Sequence, residues 1–382
     1  MISYSKLDYL KECKLTFQRD KEDEVYFYFG NGVIKVRPEG VELVPYNLNG
    51  TDAIWESQVI NFNIRINNEI KFTDVEDFLW KVSNDEEERF EALLSAFGFL
   101  CSRHKSPTEG IAPSFMDEVL SPDGLTNGRT GKSLILYLIS KVRSIVFMDG
   151  KNFNFGRYPF EQIGLDTDIC VIDDVKPNFD FTDLFPALTG NLVIDKRYER
   201  KFEIQYSESP KFAITSNYAV IGSGGESEKA RKMPIELAPY YDANFSPKDD
   251  FGYCFFTGWD ESQMNDFYNF IFYAVRFYLK FGLIKSRAVN AEIKELIART
   301  SPEFIEFMTE CPLEPNVDYD LQSLLIDFEE KYHQLGHGGS RKFNGWLRVF
   351  VNALQLSTYG NISGSPRKPF HMSNGKLKLR LV

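Results

Sequence analysis

Near the start of the chain, apolar residues occur in short runs rich in β-branched and aromatic side chains. These runs occupy positions 25–29, 33–36 and 59–64, and the turn-forming sequence Gly30-Asn31-Gly32 separates the first two. Short runs of this composition between turn residues are typical of strands. We therefore predict a β-rich N-terminal domain over residues 1–72.

The period of the apolar positions changes at Thr73. Over residues 78–82 and again over 90–100, apolar side chains recur at three- and four-residue intervals, which is the spacing of a helix that buries one face. This pattern predicts a helical collar or linker over residues 73–112.

Strand-like apolar runs then alternate with helical segments between residues 113 and 239. Such alternation is typical of an α/β domain built around a parallel sheet. An aromatic-rich helix over 267–284 is expected to pack against that domain. We assign residues 113–285 to this α/β domain.

The last part of the chain has a different order of elements. Proline residues at 312 and 315 mark a linker, followed by a predicted helix (321–332), a glycine-rich turn, a second helix (343–356) and two short strands. This order predicts a winged-helix-like α+β module, so we assign residues 286–382 to a helical linker and a winged-helix-like basic domain.

Composition restricts the compartment and the mode of nucleic-acid contact. Five cysteines are scattered singly, without a C-x-x-C pair, which argues against a disulfide framework or a structural zinc site. No stretch approaches the roughly 20 apolar residues of a membrane helix, so we expect a cytoplasmic protein that does not contact membranes. The net charge of −11 means that any DNA contact must come from local basic patches.

A glycine-rich segment opens the first helix of the predicted α/β domain. Such a loop directs backbone N–H groups and the positive end of the helix at one anionic site. We expect Lys132 to reach the β- and γ-phosphates of ATP and the Ser133 hydroxyl to bind Mg²⁺. Thr126 stands where the usual motif has glycine, and by itself the segment could be an ordinary turn before a helix. The predicted nucleotide-binding residues are Asn127, Gly128, Arg129, Thr130, Gly131, Lys132, Ser133 and Leu134.

Two carboxylates follow an apolar strand about 40 residues further on, at Asp173 and Asp174. P-loop ATPases need one acid at the metal and another near the attacking water, and we expect their strand to lie beside the P-loop strand. We assign Asp173 to Mg²⁺ and Asp174 to orienting or deprotonating the water. In isolation the segment could equally be a strand followed by an acidic turn.

Two further candidate catalytic residues, Asn217 and Arg231, lie downstream of the paired acids. Asn217 ends a third strand-like run, where it could orient the water through hydrogen bonds. Arg231 precedes a fourth run. An arginine placed there could stabilise charge on the phosphoryl group held by a neighbouring subunit, or it could be a plain surface residue.

The order of these segments resembles superfamily 3 helicases, in particular the helicase part of phage, plasmid and mobile-element primase-helicases. The resemblance rests on N-G-R-T-G-K-S, D-G-K-N-F-N-F (149–155), V-I-D-D-V, I-T-S-N and A-R-K in that order, and it covers about residues 116–237. It implies an AAA+-like core, a hexameric ring and ATP-driven movement on single-stranded DNA. Arg129 departs from the small residue usual in that loop.

The resemblance also gives a role to residues 193–204, which read as two short strands around a basic tip. In this superfamily a hairpin at this position projects into the central channel and grips single-stranded DNA. Cations would contact phosphates and a tyrosine could stack on a base, although a solvated hairpin of mixed charge would look similar. The DNA-binding candidates are Lys196, Arg197, Tyr198, Arg200 and Lys201.

Basic residues are also concentrated in the C-terminal module. They suit duplex origin DNA, or they form the solvated basic face of a packing domain. Asp318-Tyr319-Asp320 has the spacing of a primase metal site, but it falls in the predicted linker without sheet context. We therefore expect any primase activity to reside in a separate partner chain or in a removed segment. The basic residues are Arg341, Lys342, Arg348, Arg367, Lys368, Lys376, Lys378 and Arg380.

Together these features predict an ATP- and Mg²⁺-dependent, ring-forming DNA helicase that acts in phage or mobile-element replication in the cytoplasm of a bacterial host. Two other functional hypotheses stay open. One is a P-loop ATPase that remodels or packages DNA, or acts in defence, without unwinding. The other is a non-catalytic DNA-binding assembly protein with a decayed site.

Overall fold

The structure is a computed structural model of the chain. It divides into two compact units, one containing the described residues up to Ser286 and the other those from Leu296 onwards. The structure describes residues 16–46, 52–67, 72–106, 110–118, 129–156, 158–176, 179–198, 200–217, 220, 226–286, 296–297, 299–311, 318–332, 339–358, 370–373 and 376–379.

The first unit begins with an antiparallel sheet to which one short parallel strand is added. Its strand order is β4-β3-β2-β6, and β1 and β5 form a separate parallel pair. The aromatic strand β2 is buried on both faces because its odd-numbered residues enter the main core and Tyr26 and Tyr28 enter a smaller one. The strands are β1 (Thr16–Phe17), β2 (Val25–Phe29), β3 (Gly32–Arg37), β4 (Gly40–Val44), β5 (Asp52–Ala53) and β6 (Val59–Ile60).

Three helices connect this sheet to the rest of the unit: α1 (Asp74–Val82), α2 (Glu87–Cys101) and α7 (Glu261–Phe281). The Thr73 side chain accepts a hydrogen bond from the Glu76 N–H at the start of α1, and Asp260 caps α7 in the same way. Their apolar faces share one core with β2, β3 and the parallel sheet. The described residues of the predicted segments 1–72, 73–112 and 113–285 therefore lie in a single compact unit.

The predicted parallel sheet is present and has five strands in the order β13-β7-β12-β9-β8. Its strands are β7 (Ala112–Asp117), β8 (Ile145–Asp149), β9 (Ile169–Asp173), β12 (Lys211–Ser216) and β13 (Lys232–Leu237). The three middle strands are almost wholly buried, as expected for strands covered on both faces. Because all five strands are parallel, their carboxyl ends lie at one edge.

The remaining elements of the first unit are short, apart from the helix that follows the glycine-rich loop. A two-stranded antiparallel hairpin is formed by β10 (Leu192–Ile194) and β11 (Phe202–Ile204). The helices are α3 (Lys132–Ile139), α4 (Phe185–Thr189), α5 (Glu226–Arg231) and α6 (Pro247–Phe251), with 3₁₀ turns at Glu56–Gln58, Phe181–Leu184 and Tyr206–Glu208.

The second unit has its own apolar core around Phe304, Phe328 and Phe343. It contains α8 (Pro302–Glu310), β14 (Asp318–Asp320), α9 (Leu321–Lys331), α10 (Gly339–Thr358), β15 (Phe370–Ser373) and β16 (Lys376–Leu379). The three strands form an antiparallel sheet in the order β14-β16-β15.

One expectation for this unit was wrong. Residues 318–320 do have sheet context, because β14 pairs with β16. Asp320 also accepts a hydrogen bond from the Gln322 N–H over 2.9 Å, so it caps α9. The cap gives this acid a structural reason to be there.

Among the residues that the structure describes, no helix combines the length and the apolar character needed to cross a membrane.

Candidate active site

The candidate site lies at the carboxyl edge of the parallel sheet, where β7, β12 and β9 end side by side. Ile214 of β12 is in register with Ser114 of β7 on one side and with Ile172 of β9 on the other. We expected β9, which ends in the paired acids, to lie beside β7, which precedes the glycine-rich loop. That expectation was wrong, since β12 lies between them. This order places Asn217, which follows β12, between the loop lysine and the paired acids.

The described part of the glycine-rich loop is Arg129 to Gly131, and Asn127 and Gly128 lie outside the described residues. Gly131 has a φ of 108° and immediately precedes Lys132, the first residue of α3. A Cβ at this position would also lie only 2.7 Å from Cζ of Phe78, so the backbone angle and the packing both require glycine. Arg129 has a φ of 67° and donates to the Ala243 carbonyl over 3.4 Å.

Lys132 lies inside the site rather than in solvent. Its Nζ donates to Asn217 Oδ1 over 2.8 Å and forms an ion pair with Asp117. The Thr130 hydroxyl donates to the same Asp117 oxygen. Asp117 is the last residue of β7 and is 6% exposed. It was not among the predicted residues, although an acid that ends a buried strand is the same signal that identified Asp173.

The two acids at the end of β9, Asp173 and Asp174, have different environments. Asp173 Oδ1 accepts a hydrogen bond from the Thr215 hydroxyl over 2.6 Å, and the same hydroxyl accepts from the Asp174 N–H over 2.7 Å. Asp174 has a φ of 56°, and its Oδ1 accepts from Asn217 Nδ2 over 2.9 Å. Thr215, which was not predicted, thus holds the turn that separates the two carboxylates.

The D-G-K-N-F-N-F segment contributes a cation to this edge. Lys151 Nζ forms an ion pair with Asp174 Oδ2 over 2.6 Å. The preceding Gly150 packs against β9: its N–H donates to the Asp173 carbonyl, and a Cβ there would lie 2.5 Å from that oxygen. Asp149 closes the turn by accepting from the N–H of Lys151 and from the side chain of Asn152.

Aromatic packing fixes the end of the same segment. The rings of Phe153 and Phe155 contact each other at a centroid distance of 4.8 Å and both contact Phe160 and Phe179. Phe160 in turn packs on Phe212 of β12 at 5.6 Å. The motif is thereby anchored to β12, the strand that precedes Asn217.

The residues predicted to hold Mg²⁺ are Ser133, on the exposed start of α3, and Asp173, which is half-buried. Within the described ranges, no three His, Cys, Asp or Glu side chains are grouped so as to hold a metal by themselves. A hydroxyl and a carboxylate fit Mg²⁺, which keeps several waters and is usually completed by substrate phosphates. Leu134 packs against the main core and contributes position rather than chemistry.

Arg231 ends α5 and is not linked to this network by any contact among the described residues. Its Nη1 donates to the Ser227 carbonyl over 2.8 Å, and its guanidinium lies 4.9 Å from the centroid of the Phe185 ring. Its Nε is buried and has no hydrogen-bond partner among the described atoms. Within one chain, therefore, the structure brings together Lys132, Asn217 and Asp174 but does not add Arg231.

The predicted hairpin is present, and most of its tip is exposed. Tyr198 is fully exposed, with a φ of 65°, and Arg200 is also exposed. Two of the cations have acidic partners, since Arg197 lies 3.7 Å from Glu161 and Lys201 lies 3.4 Å from Asp195.

Lys196, another cation of the hairpin tip, lies beside an aromatic ring rather than an acid. Its ammonium lies 5.9 Å from the centroid of the Phe202 ring. These geometries leave a stacking surface at Tyr198 and cations on both sides of it.

No protein-family model matches the chain, and no curated protein matches it. Among solved structures, it is similar to the A-form apo structure of the NrS-1 C-terminal region, with 13% identity and a TM-score of 0.36, over 94% of this chain and 96% of that one. It is also similar to the A-form apo structure of the 305–718 segment of that region, with 14% identity and a TM-score of 0.39, over 87% of each chain.

Proposed function

We propose that this chain is an ATP-hydrolysing, ring-forming DNA helicase that acts in phage or mobile-element DNA replication. The observation that carries the proposal is the hydrogen-bonded chain from Lys132 through Asn217 to Asp174. It joins the side chain that would contact the terminal phosphates to the carboxylate that would act on the water. If the glycine-rich loop were an ordinary turn before a helix, we would not expect its lysine to be linked by hydrogen bonds to Asp174, which follows a strand two positions away in the sheet.

The chemistry follows from these contacts. Lys132 and the N–H groups at the start of α3 bind the β- and γ-phosphates of ATP. Ser133 and Asp173 would hold Mg²⁺, which neutralises charge on the phosphates when bound. Asp174 accepts a proton from the attacking water or orients it, and Asn217 fixes the direction of that carboxylate.

Ring formation is proposed because the described contacts of Arg231 leave it outside the site of its own chain. An arginine supplied by a neighbouring subunit can stabilise the transferring phosphoryl group, an effect of about 10³–10⁵ in rate where it has been measured. A hexamer is the assembly that the resemblance to superfamily 3 implies.

DNA contact is assigned to two regions. The tip formed by Lys196, Arg197, Tyr198, Arg200 and Lys201 would line the channel and contact single-stranded DNA. In the second unit, the described elements from Pro302 onwards follow the order helix, strand, helix, helix, strand, strand. This order supports a winged helix, which would bind duplex origin DNA through its basic residues. A separate primase would supply primers in the cytoplasm of the bacterial host.

An ATPase that remodels or packages DNA, or acts in defence, without unwinding is the second candidate. It is favoured by the acidic partners of Arg197 and Lys201, which reduce the net positive charge of the hairpin. It would use the same ATP site but no DNA channel.

Strand displacement on a forked DNA substrate distinguishes these candidates. We expect ATP-dependent displacement by the wild-type chain and none by Asp174→Asn, which retains the shape of the carboxylate. DNA-stimulated ATP hydrolysis without displacement would support remodelling instead. Absence of ATP hydrolysis in the presence of DNA and Mg²⁺ would reject both.

A further inference from the structure

The buried carboxylate of Asp117 forms an ion pair with Lys132, the lysine that the proposed function assigns to phosphate binding. Asp117 pairs with Lys132 and accepts from Thr130. The side chain of Asp117 is 8% exposed and that of Lys132 is 11% exposed. Phosphate-binding loops attract anions through their N–H groups and their lysine, so an internal anion at this position competes with the ligand.

The number of N–H donors on Lys132 limits how it can bind Asp117 and a phosphate at the same time. An ammonium group has three N–H donors, and Asn217 and Asp117 already use two of them. A phosphate either takes the third donor and stays near a like charge, or it displaces Asp117 from the ammonium. Both routes weaken nucleotide binding, because like charges repel and an ion pair in a buried site is costly to break.

We propose that Asp117 is an internal counter-ion that stands in for the nucleotide phosphates on Lys132 and thereby sets the affinity of the loop for nucleotides. The proposal rests on the proposed ATP site. Asp117 acts through Lys132 and is a residue that determines affinity rather than a catalytic one. If Lys132 is free of Asp117 in one-tenth of the molecules, the apparent affinity falls about tenfold.

The position of Asp117 also predicts for which nucleotides it lowers the binding affinity. Lys132 is directed at the β- and γ-phosphates, so ATP and ADP compete with Asp117 whereas AMP does not. A residue that only supported the loop would affect all three nucleotides or none. The pattern across the three nucleotides therefore separates a counter-ion from a structural support.

The test is equilibrium binding of ATP, ADP and AMP to the full chain carrying Asp117→Asn, with Mg²⁺ and with EDTA. Asparagine keeps an oxygen that can accept from Thr130 and Lys132 but removes the charge. We expect ATP and ADP to bind about tenfold more tightly, with AMP unchanged, in both conditions. Asp117→Ala should change affinity in the same direction and provides a second variant if the first one does not fold.

Glu118→Gln is the matched control. It neutralises the adjacent acid, which pairs with Arg89 at 2.8 Å, and should leave nucleotide affinity unchanged. Unchanged affinity in Asp117→Asn overturns the counter-ion role alone, provided that the wild-type chain binds ATP. Weaker binding in Mg²⁺ but not in EDTA also overturns it, because Asp117 would then be a metal ligand. If neither the wild-type chain nor Asp117→Asn binds any nucleotide, the proposed function fails as well.

Discussion

Asn217 donates a hydrogen bond from Nδ2 to Asp174 Oδ1 over 2.9 Å, while its carbonyl oxygen accepts from Lys132. One amide therefore contacts both a cation and an anion, and it can satisfy both because its two ends have opposite hydrogen-bonding character. The contact depends on the strand order, since β12 lies between β7 and β9. In the proposed ATP site, the Asn217 side chain would transmit occupation of the phosphate position to the carboxylate of Asp174.

This relationship predicts that Asn217→Ala lowers turnover much more than nucleotide affinity. The variant leaves the loop and Mg²⁺ ligands in place but removes the group that orients Asp174. We expect kcat to fall by about 10²-fold, as when one positioned hydrogen-bond donor is removed from other active sites. Steady-state kinetics and nucleotide binding measure the two effects separately. Asn152→Ala is the control, because its amide donates to Asp149 over 2.6 Å and not to Asp174. Equal losses in both variants would contradict the role of Asn217.

Arg231 provides a test of assembly. Arg231→Ala and Lys132→Ala chains should each be inactive, because one lacks the arginine offered to its neighbour and the other lacks the lysine at its own site. Mixed rings should contain some interfaces with both residues intact, so mixing should restore part of the ATP hydrolysis. The two chains carry different fluorophores, so that energy transfer reports subunit exchange. A mixture that exchanges subunits but stays inactive would show that Arg231 does not act across a boundary.

The hairpin provides a test of the DNA channel. Replacing both Lys196 and Arg197 with Ala should weaken binding to single-stranded DNA. Each lost phosphate contact should reduce the slope of log K against log salt by about 0.7. Basal ATP hydrolysis should survive, while DNA stimulation and strand displacement fall together. A triple neutralisation of Lys376, Lys378 and Arg380 is the comparison and should affect duplex binding more. Normal unwinding by the hairpin variant would favour the remodelling ATPase.

A buried lysine gives the fold a pH-dependent stability. Burial lowers the pKa of the Lys105 ammonium to about 8, below its value of about 10.4 in an unfolded chain. Between these values the unfolded chain binds more protons at Lys105 than the folded chain does, so this residue makes stability rise with pH.

The measurement is the free energy of unfolding in urea for the wild-type chain and Lys105→Met. The difference between the two should shift in favour of the wild-type chain by about 2 kcal/mol between pH 7 and 9.5. Lys248→Met, at an exposed position, should show no such shift. A pH-independent difference for Lys105→Met would mean that Lys105 does not titrate in this range.

The local pattern of apolar residues was sufficient to predict a strand where that strand is long, apolar and bounded by turns. The parallel sheet and the aromatic strand β2 were predicted for this reason. Residues 59–64 were predicted as one strand, but only Val59–Ile60 pairs with β2. The Asn31 side chain hydrogen-bonds both the N–H and the carbonyl of Ile64 and takes the place of a strand partner there, a contact that periodicity does not reveal.

The candidate site could be predicted only in part for a related reason. Gly131, Lys132 and the paired acids occur in short motifs, so their chemistry is visible in the sequence. The roles of Asp117, Lys151 and Thr215 depend on which strand ends are neighbours. That order is set by packing of the whole sheet and cannot be obtained from spacing along the chain.

The most direct test of the central claim is steady-state ATP hydrolysis, together with nucleotide binding, by the wild-type chain, Lys132→Ala and Asp174→Asn. Lys132→Ala leaves Asp117 without its cation, so its unfolding temperature is measured alongside. We predict Mg²⁺-dependent hydrolysis by the wild-type chain, none by Lys132→Ala, and none by Asp174→Asn despite retained ATP binding. Turnover at the wild-type rate in either folded variant would contradict the assignment of this edge of the sheet as the ATP site.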